Sequence, residues 1–188
     1  MKKVLFVLLG VAALAVTLPV TAEDNLLQNR SFEEPKGATG ENPAGWYAWN
    51  WDYNGINTEV RRTGSQAIYV SAEAKPESHS GILYHYKAVK PGKTYSFSCY
   101  VRNSSKDPIT AGAYGQVSIE WVKDDKEIDD TRTWGDTWGA DLSASDWKLV
   151  NVTGAAPEGA DSCKFVIQFF NKDGKGIFYA DDAVATEK

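Results

Sequence analysis

The 188-residue chain carries 20 Lys and Arg against 25 Asp and Glu, a formal net charge of −5. That acidic balance disfavours nucleic acid and anionic membranes as partners and suits a neutral or weakly charged ligand. Its seven Trp all lie between positions 46 and 147, more than the core of one domain of this size ordinarily uses.

In chain order, Lys2 and Lys3 precede an apolar run from Val4 to Val16, and Val20-Thr21-Ala22 is a small-residue cleavage pattern. This reads as a secretory signal peptide cut after Ala22. The run is short for a bilayer span, so no membrane association is expected after cleavage. The expected organisation is residues 1–22 as signal peptide and 23–188 as one module, secreted to the periplasm or the extracellular space. Loss of Lys2 and Lys3 makes the mature chain more acidic still.

Asn25 to Glu33 opens the module, and a Gly- and Pro-containing loop follows to Gly45. Trp46 to Tyr53 is aromatic and runs into Asn54-Gly55, a tight-turn dipeptide. Val60 to Ala72 reads as a hairpin turning at Arg62–Ser65. Ile82 to Val89 is a strand, and Pro91-Gly92 is a turn. Then the alternation is clean. Tyr95, Phe97, Cys99 and Val101 point one way; Ser96, Ser98, Tyr100 and Arg102 point the other. Further strands are expected over 116–123, 147–153, 162–170 and 177–185. Residues 131–145 read as a long loop holding Trp134 and Trp138, and 171–176 as a hairpin turn. No segment after the leader has helical periodicity. Short strands about ten residues apart mean an all-β sandwich or barrel.

Several motifs occur in a telling order: Asn25-Leu26-Leu27-x-Asn29-x-x-Phe32-Glu33, Gly45-Trp46 and His79-Ser80-Gly81. Val89-x-Pro91-Gly92-Lys93-x-Tyr95-x-Phe97-x-x-Tyr100-Val101, Asp146-Trp147, Ala156-Pro157-x-Gly159-Ala160 and Phe178-Tyr179-x-Asp181-Asp182 complete the set. The chain resembles the CenC-type carbohydrate-binding modules of families 4, 9 and 22. The resemblance implies a jelly-roll, galactose-binding-like β-sandwich of two antiparallel sheets. It also implies non-catalytic binding of a polysaccharide such as xylan, β-glucan or cellulose in a groove on one sheet. Family members usually sit beside a glycoside hydrolase domain, so a separately encoded hydrolase is the implied partner of a monomeric module.

Strand parity supplies candidates for that groove. Sugars offer apolar C–H faces ringed by hydroxyls, so a site for them wants aromatic rings beside planar polar groups. With Val117, Ile119 and Trp121 inward, Gln116, Ser118 and Glu120 face out. With Cys163, Phe165, Ile167 and Phe169 inward, Lys164, Gln168 and Phe170 face out. Tyr100 and Arg102 are expected to join them, with Trp49, Trp51, Trp134 and Trp138 as loop walls. The plain alternatives are a solvated sheet face and tryptophans that plug the sandwich edge. The latter fits Trp46 and Trp147, which the family keeps for packing.

The resemblance also implies a structural Ca²⁺ held by Glu33 and Asp181 with main-chain oxygens near Ser31 and Gln66; Asp182 is the alternative to Asp181. Cys99 and Cys163 each fall on an apolar strand face. An exported chain allows a disulfide between them, and burial allows two free thiols; sequence does not decide. A glycosidase would need two carboxylates flanking a cleft, and Glu120, Asp136 and Asp141 form no obvious pair. His79 and His85 suggest neither a triad nor a zinc motif. A surface adhesin that binds protein is the remaining alternative.

Overall fold

Alternating side chains build this protein, and one strand shows the rule in full. Thr94–Asn103 alternates half-buried and buried at every residue. The computed structural model describes residues 25–34, 43–72, 75 and 77–188; the expected leader and the side chain of Trp51 lie outside the described residues. Eleven strands carry the described fold: β1 Tyr47–Trp49, β2 Asn54–Asn57, β3 Ala67–Ser71, β4 Ser78–Tyr86, β5 Thr94–Asn103, β6 Ala113–Lys123, β7 Lys126–Glu127, β8 Thr133–Trp138, β9 Lys148–Ala155, β10 Ser162–Asn171 and β11 Ile177–Glu187. The helical content among the described residues is one 3₁₀ turn, Trp51–Tyr53.

These strands form two antiparallel sheets. The first runs β1-β4-β10-β6-β7, with β8 also paired to β6; the second runs β2-β3-β11-β5-β9. Their inner faces meet in one core. Phe97 of β5 stacks on Phe165 of β10, centroids 5.3 Å apart, and Tyr95 meets Trp121 edge-on at 5.8 Å. Each pair joins the two sheets, so burial of these rings is what holds the layers together. Trp46 is buried against Phe32, as a packing residue should be.

Three expectations about connections change. Asn54-Gly55 is not a turn but the start of β2, which pairs with β3 across a longer loop. The turn at 171–176 does not close a hairpin, because it joins β10 of the first sheet to β11 of the second; Pro91-Gly92 is the expected turn, with Gly92 at φ 79°, and it leads from β4 of one sheet to β5 of the other. The expected loop over 131–145 contains β8, which pairs with β6. Cys99 and Cys163 are free and buried, and burial pushes both thiols up. They lie on strands of different sheets, Cys99 on β5 and Cys163 on β10.

Candidate functional site

The outer face of the first sheet gathers side chains from five strands, and the strand register places them in rows. His79, Phe170 and Tyr114 share one row. Trp49, Gly81, Gln168, Gln116 and Thr137 form the next. Tyr47, Leu83, Val166, Ser118 and Trp134 form a third. His85, Lys164 and Glu120 form the last.

The first row is an aromatic bank. Phe170 stacks on Tyr114 at 5.0 Å and on His79 at 6.3 Å, and Trp49 leans on His79 at 6.4 Å. Trp134 reaches Phe170 from the far edge at 6.4 Å. The second row is lower. Gly81 has no side chain and seats the Trp49 ring, and Gln168 is only 3% exposed, its amide Nε2 donating to Ser118 Oγ at 3.1 Å. Gln116 Nε2 donates to the Gly135 carbonyl at 3.3 Å. The face is therefore a trough with an amide floor and rings along one side. It crosses five strands, a length of roughly 19 Å at about 4.8 Å per strand.

The last row is a charge network. Glu120 is 8% exposed and is held by Arg132 at 2.8 Å and Lys164 at 3.3 Å. Arg132 also bonds Glu127 through Nε and Nη2, each at 2.9 Å. Its guanidinium lies 5.0 Å from the Trp134 ring centroid. Burial first, and then Lys87 and Lys164, hold His85 below the usual imidazole range. Arg132 thus does two jobs: it neutralises a buried carboxylate and backs the most exposed tryptophan of the face, which is 50% exposed. Removing one partner from a buried ion pair strands the other. Arg132→Ala is expected to lower the melting midpoint by about 5 °C, since Lys164 still pairs Glu120 and each kcal/mol is worth about 2–4 °C in a chain this long. The check is calorimetry with Trp emission, which should change as Trp134 loses its partner.

Of the sequence-based candidates, Trp49, Gln116, Glu120, Trp134, Gln168 and Phe170 come together here. Tyr100 and Arg102 do not. They face outward, but from β5 in the second sheet, so they sit on the opposite side of the sandwich. Tyr100 lies under the Arg62 guanidinium, 3.5 Å from its ring centroid, and Arg102 Nε donates to the Ala144 carbonyl at 2.7 Å. Trp138 is core: it is buried and meets Phe178 edge-on at 4.9 Å. Tyr114, His79 and Arg132 were missed. Tyr114 was within reach, because carrying the parity of Gln116 back one alternation lands on it.

The residues expected to hold calcium converge on the Arg62–Gln66 turn. Glu33 accepts from Ser65 N and Gln66 N, each at 3.1 Å. Asp181 accepts from Arg62 N at 2.8 Å and Thr63 N at 3.1 Å, and from Asp182 N at 2.7 Å. Ser31 Oγ donates to Asp182 at 2.9 Å, and the Gln66 amide donates to the Phe32 carbonyl. Burial pushes the Asp181 carboxyl up to about 6, against those backbone donors. Among the described residues no three His, Cys, Asp or Glu side chains converge as a metal cluster. An ion here would lean on main-chain oxygens. Two carboxylates gripping one turn, one of them buried, fit a hard cation on those terms.

The model of a family described as a carbohydrate binding domain matches residues 24–173. No curated protein matches the sequence. Among solved structures, the chain is similar to the CBM22-1 xylan-binding domain from Paenibacillus barcinonensis Xyn10C, at 16% identity and a TM-score of 0.61, over 87% of this chain and 94% of that one. It is also similar to a CBM61 module solved with β-1,4-galactotriose, at 11% identity and a TM-score of 0.57, over 87% of this chain and 99% of that one. The enzymatically active domain of bacteriophage CBA120 tailspike protein 4 matches at 10% identity and a TM-score of 0.58, over 88% of this chain but only 22% of that one. At such identities these likenesses bear on the fold alone.

Proposed function

Since this chain belongs to the carbohydrate binding domain family, we propose that a polysaccharide chain lies across the outer face of its first sheet. The carrying observation is the trough: His79, Phe170 and Tyr114 line one side of a floor of Gln168 and Gln116, with Trp49 seated on Gly81 at one end and Trp134 at the other. Rings would take the apolar faces of the sugars, and the floor amides their hydroxyls. Neighbours named for xylan and solved with a β-1,4-galactan fragment guide the choice of polymers to test.

The role proposed is binding without catalysis. Both oxygens of Glu120 are held by cations, and Asp136 accepts from Asn151 N and Nδ2 on β9 at 2.9 and 2.8 Å. Glu120 is neutralised by its two partners and Asp136 is turned to β9, so this pair offers no free acid and base on one glycosidic bond. Export after cleavage at Ala22, a monomeric state and a separately encoded hydrolase as partner complete the proposal. The deciding experiment is retention on insoluble xylan, cellulose, β-glucan and β-1,4-galactan, with an assay for released reducing ends. Retention without release is expected. Failure on every polymer would remove the reading in favour of an adhesin, and release would restore an enzyme.

Calcium belongs to the same proposal. Glu33 and Asp181 would hold it with main-chain oxygens near Ser31 and Gln66, tying the first described segment to β11. An ion that binds only the folded chain adds about 2.7 kcal/mol at a hundredfold excess over its dissociation constant. Millimolar Ca²⁺ is therefore expected to raise the melting midpoint by about 5–10 °C over the chelated protein. An unchanged midpoint would leave hydrogen bonds as the sole tie at this turn.

A further inference from the structure

A second concavity lies away from the trough. It is a cavity of about 530 Å³, against about 290 Å³ for the hollow beside Phe170. Tyr53 from the 3₁₀ turn, Ala72 just past β3, Pro108 between β5 and β6, and Ile177 opening β11 line it. Its walls are stitched together. Ile177 N donates to the Asp107 carbonyl at 2.9 Å, Thr110 N to the Lys175 carbonyl at 2.9 Å, and Lys175 N to Thr110 Oγ1 at 2.9 Å. Gly176 closes the corner at φ 138°, where an added Cβ would come within 2.4 Å of Ile109 Cα.

The lining combines these residues with Lys106, Asp107 and Lys175. Lys106 is paired with Glu59 at 3.0 Å. The Lys175 ammonium has no carboxylate partner among the described residues. With Lys106 paired to Glu59, the lining keeps one ammonium, Lys175, and one carboxylate, Asp107, so an anion that a ligand brings is suited to the Lys175 side of the cavity. An apolar, concave site with few polar groups is how small-molecule sites are built. A bare inorganic anion would make no use of Tyr53, Pro108 and Ile177. A neutral sugar could offer the Lys175 ammonium hydroxyl oxygens but would leave its charge unpaired. A pyranose ring bearing a carboxylate uses both.

We propose that this cavity is a second binding site, one that takes a single acidic sugar, a uronic acid at a chain end or on a side branch. The choice of a sugar among carboxylates rests on the polysaccharide reading of the family; the site itself is separate from the trough. The test titrates the full chain with glucuronate, glucose and benzoate by calorimetry, and measures xylan retention on the same samples. Glucuronate is expected to bind at least tenfold tighter than glucose or benzoate. Lys175→Gln, a surface change, should bring glucuronate down to the level of glucose, and Tyr53→Ala should weaken it at least tenfold. Trp134→Ala should leave glucuronate binding unchanged while xylan retention falls. Glucuronate binding that survives Lys175→Gln, that disappears with Trp134→Ala, or that is absent in the wild type would overturn the second site. Equal binding of benzoate would overturn its assignment to a sugar. Loss of xylan retention alone bears on the trough and leaves the second site standing.

Discussion

Trp134→Ala is expected to weaken binding to the retained polymer by about 10- to 100-fold, about 1.4–2.7 kcal/mol, and to move the melting midpoint by less than about 2 °C. The two effects separate because Trp134 is half exposed: its ring covers the trough and not the core. Phe170→Ala should cost at least as much affinity, and some stability too, since its ring touches His79, Tyr114 and Trp134 together. Tyr100→Ala is the control. It faces away on the second sheet under Arg62, so its affinity should stay within about twofold of the wild type. Titration calorimetry with a soluble oligosaccharide of the retained polymer, paired with a thermal scan, reads both quantities. If Tyr100→Ala fails to bind while Trp134→Ala binds normally, the ligand lies on the other side of the sandwich.

The second large effect concerns a residue with no side chain. A Cβ placed on Gly81 would lie 2.3 Å from Trp49 Cη2 and 2.6 Å from the Ile167 carbonyl oxygen. The first clash can relax if the Trp49 ring swings away. The second cannot, because Ile167 belongs to β10, which pairs directly with β4. Overpacking of this kind costs about 3 kcal/mol, so Gly81→Ala should lower the midpoint by about 10 °C. Binding should fall as well, because Trp49 loses its seat over the floor. Combining Gly81→Ala with Trp49→Ala relieves only the ring clash, so less than half of the lost stability should return. Full recovery in the double variant would mean that the ladder tolerates the methyl group.

Both predictions show where the sequence was readable. Parity on β6 and β10 named Gln116, Glu120, Gln168 and Phe170 on one face, because a period of two in a half-buried strand leaves little choice. The same parity turned Tyr100 and Arg102 outward, and correctly so. Parity fixes the face of a strand within its own sheet and carries nothing about which sheet that is. β5 joins its sheet through β9 and β11, partners 40 or more positions further along the chain, so the placement of Tyr100 was a long-range fact. Trp138 failed for a local reason. Gly135 and Gly139 made its stretch look like a loop, whereas Gly135 is where β8 passes against β9. A Cβ there would meet Val152 at 2.4 Å. Arg132 had no local signal, since its meaning depends on Glu120 being buried beside it.

The order of strands in the second sheet has a kinetic consequence. β11 is the last strand of the described fold, yet it lies inside its sheet, between β3 and β5. Until it inserts, β3 and β5 each present an unpaired edge, and the second sheet exists only as two separate pieces. The opening segment waits as well: Leu26 N donates to the Ala185 carbonyl at 2.9 Å, and Asn25 Nδ2 to the Ala183 carbonyl at 3.2 Å. Pairing over such sequence distances is slow, and open edges invite association with other chains. Folding should therefore begin in earnest only once the final strand has been made, and a chain cut short before Ile177 should aggregate instead of folding in part.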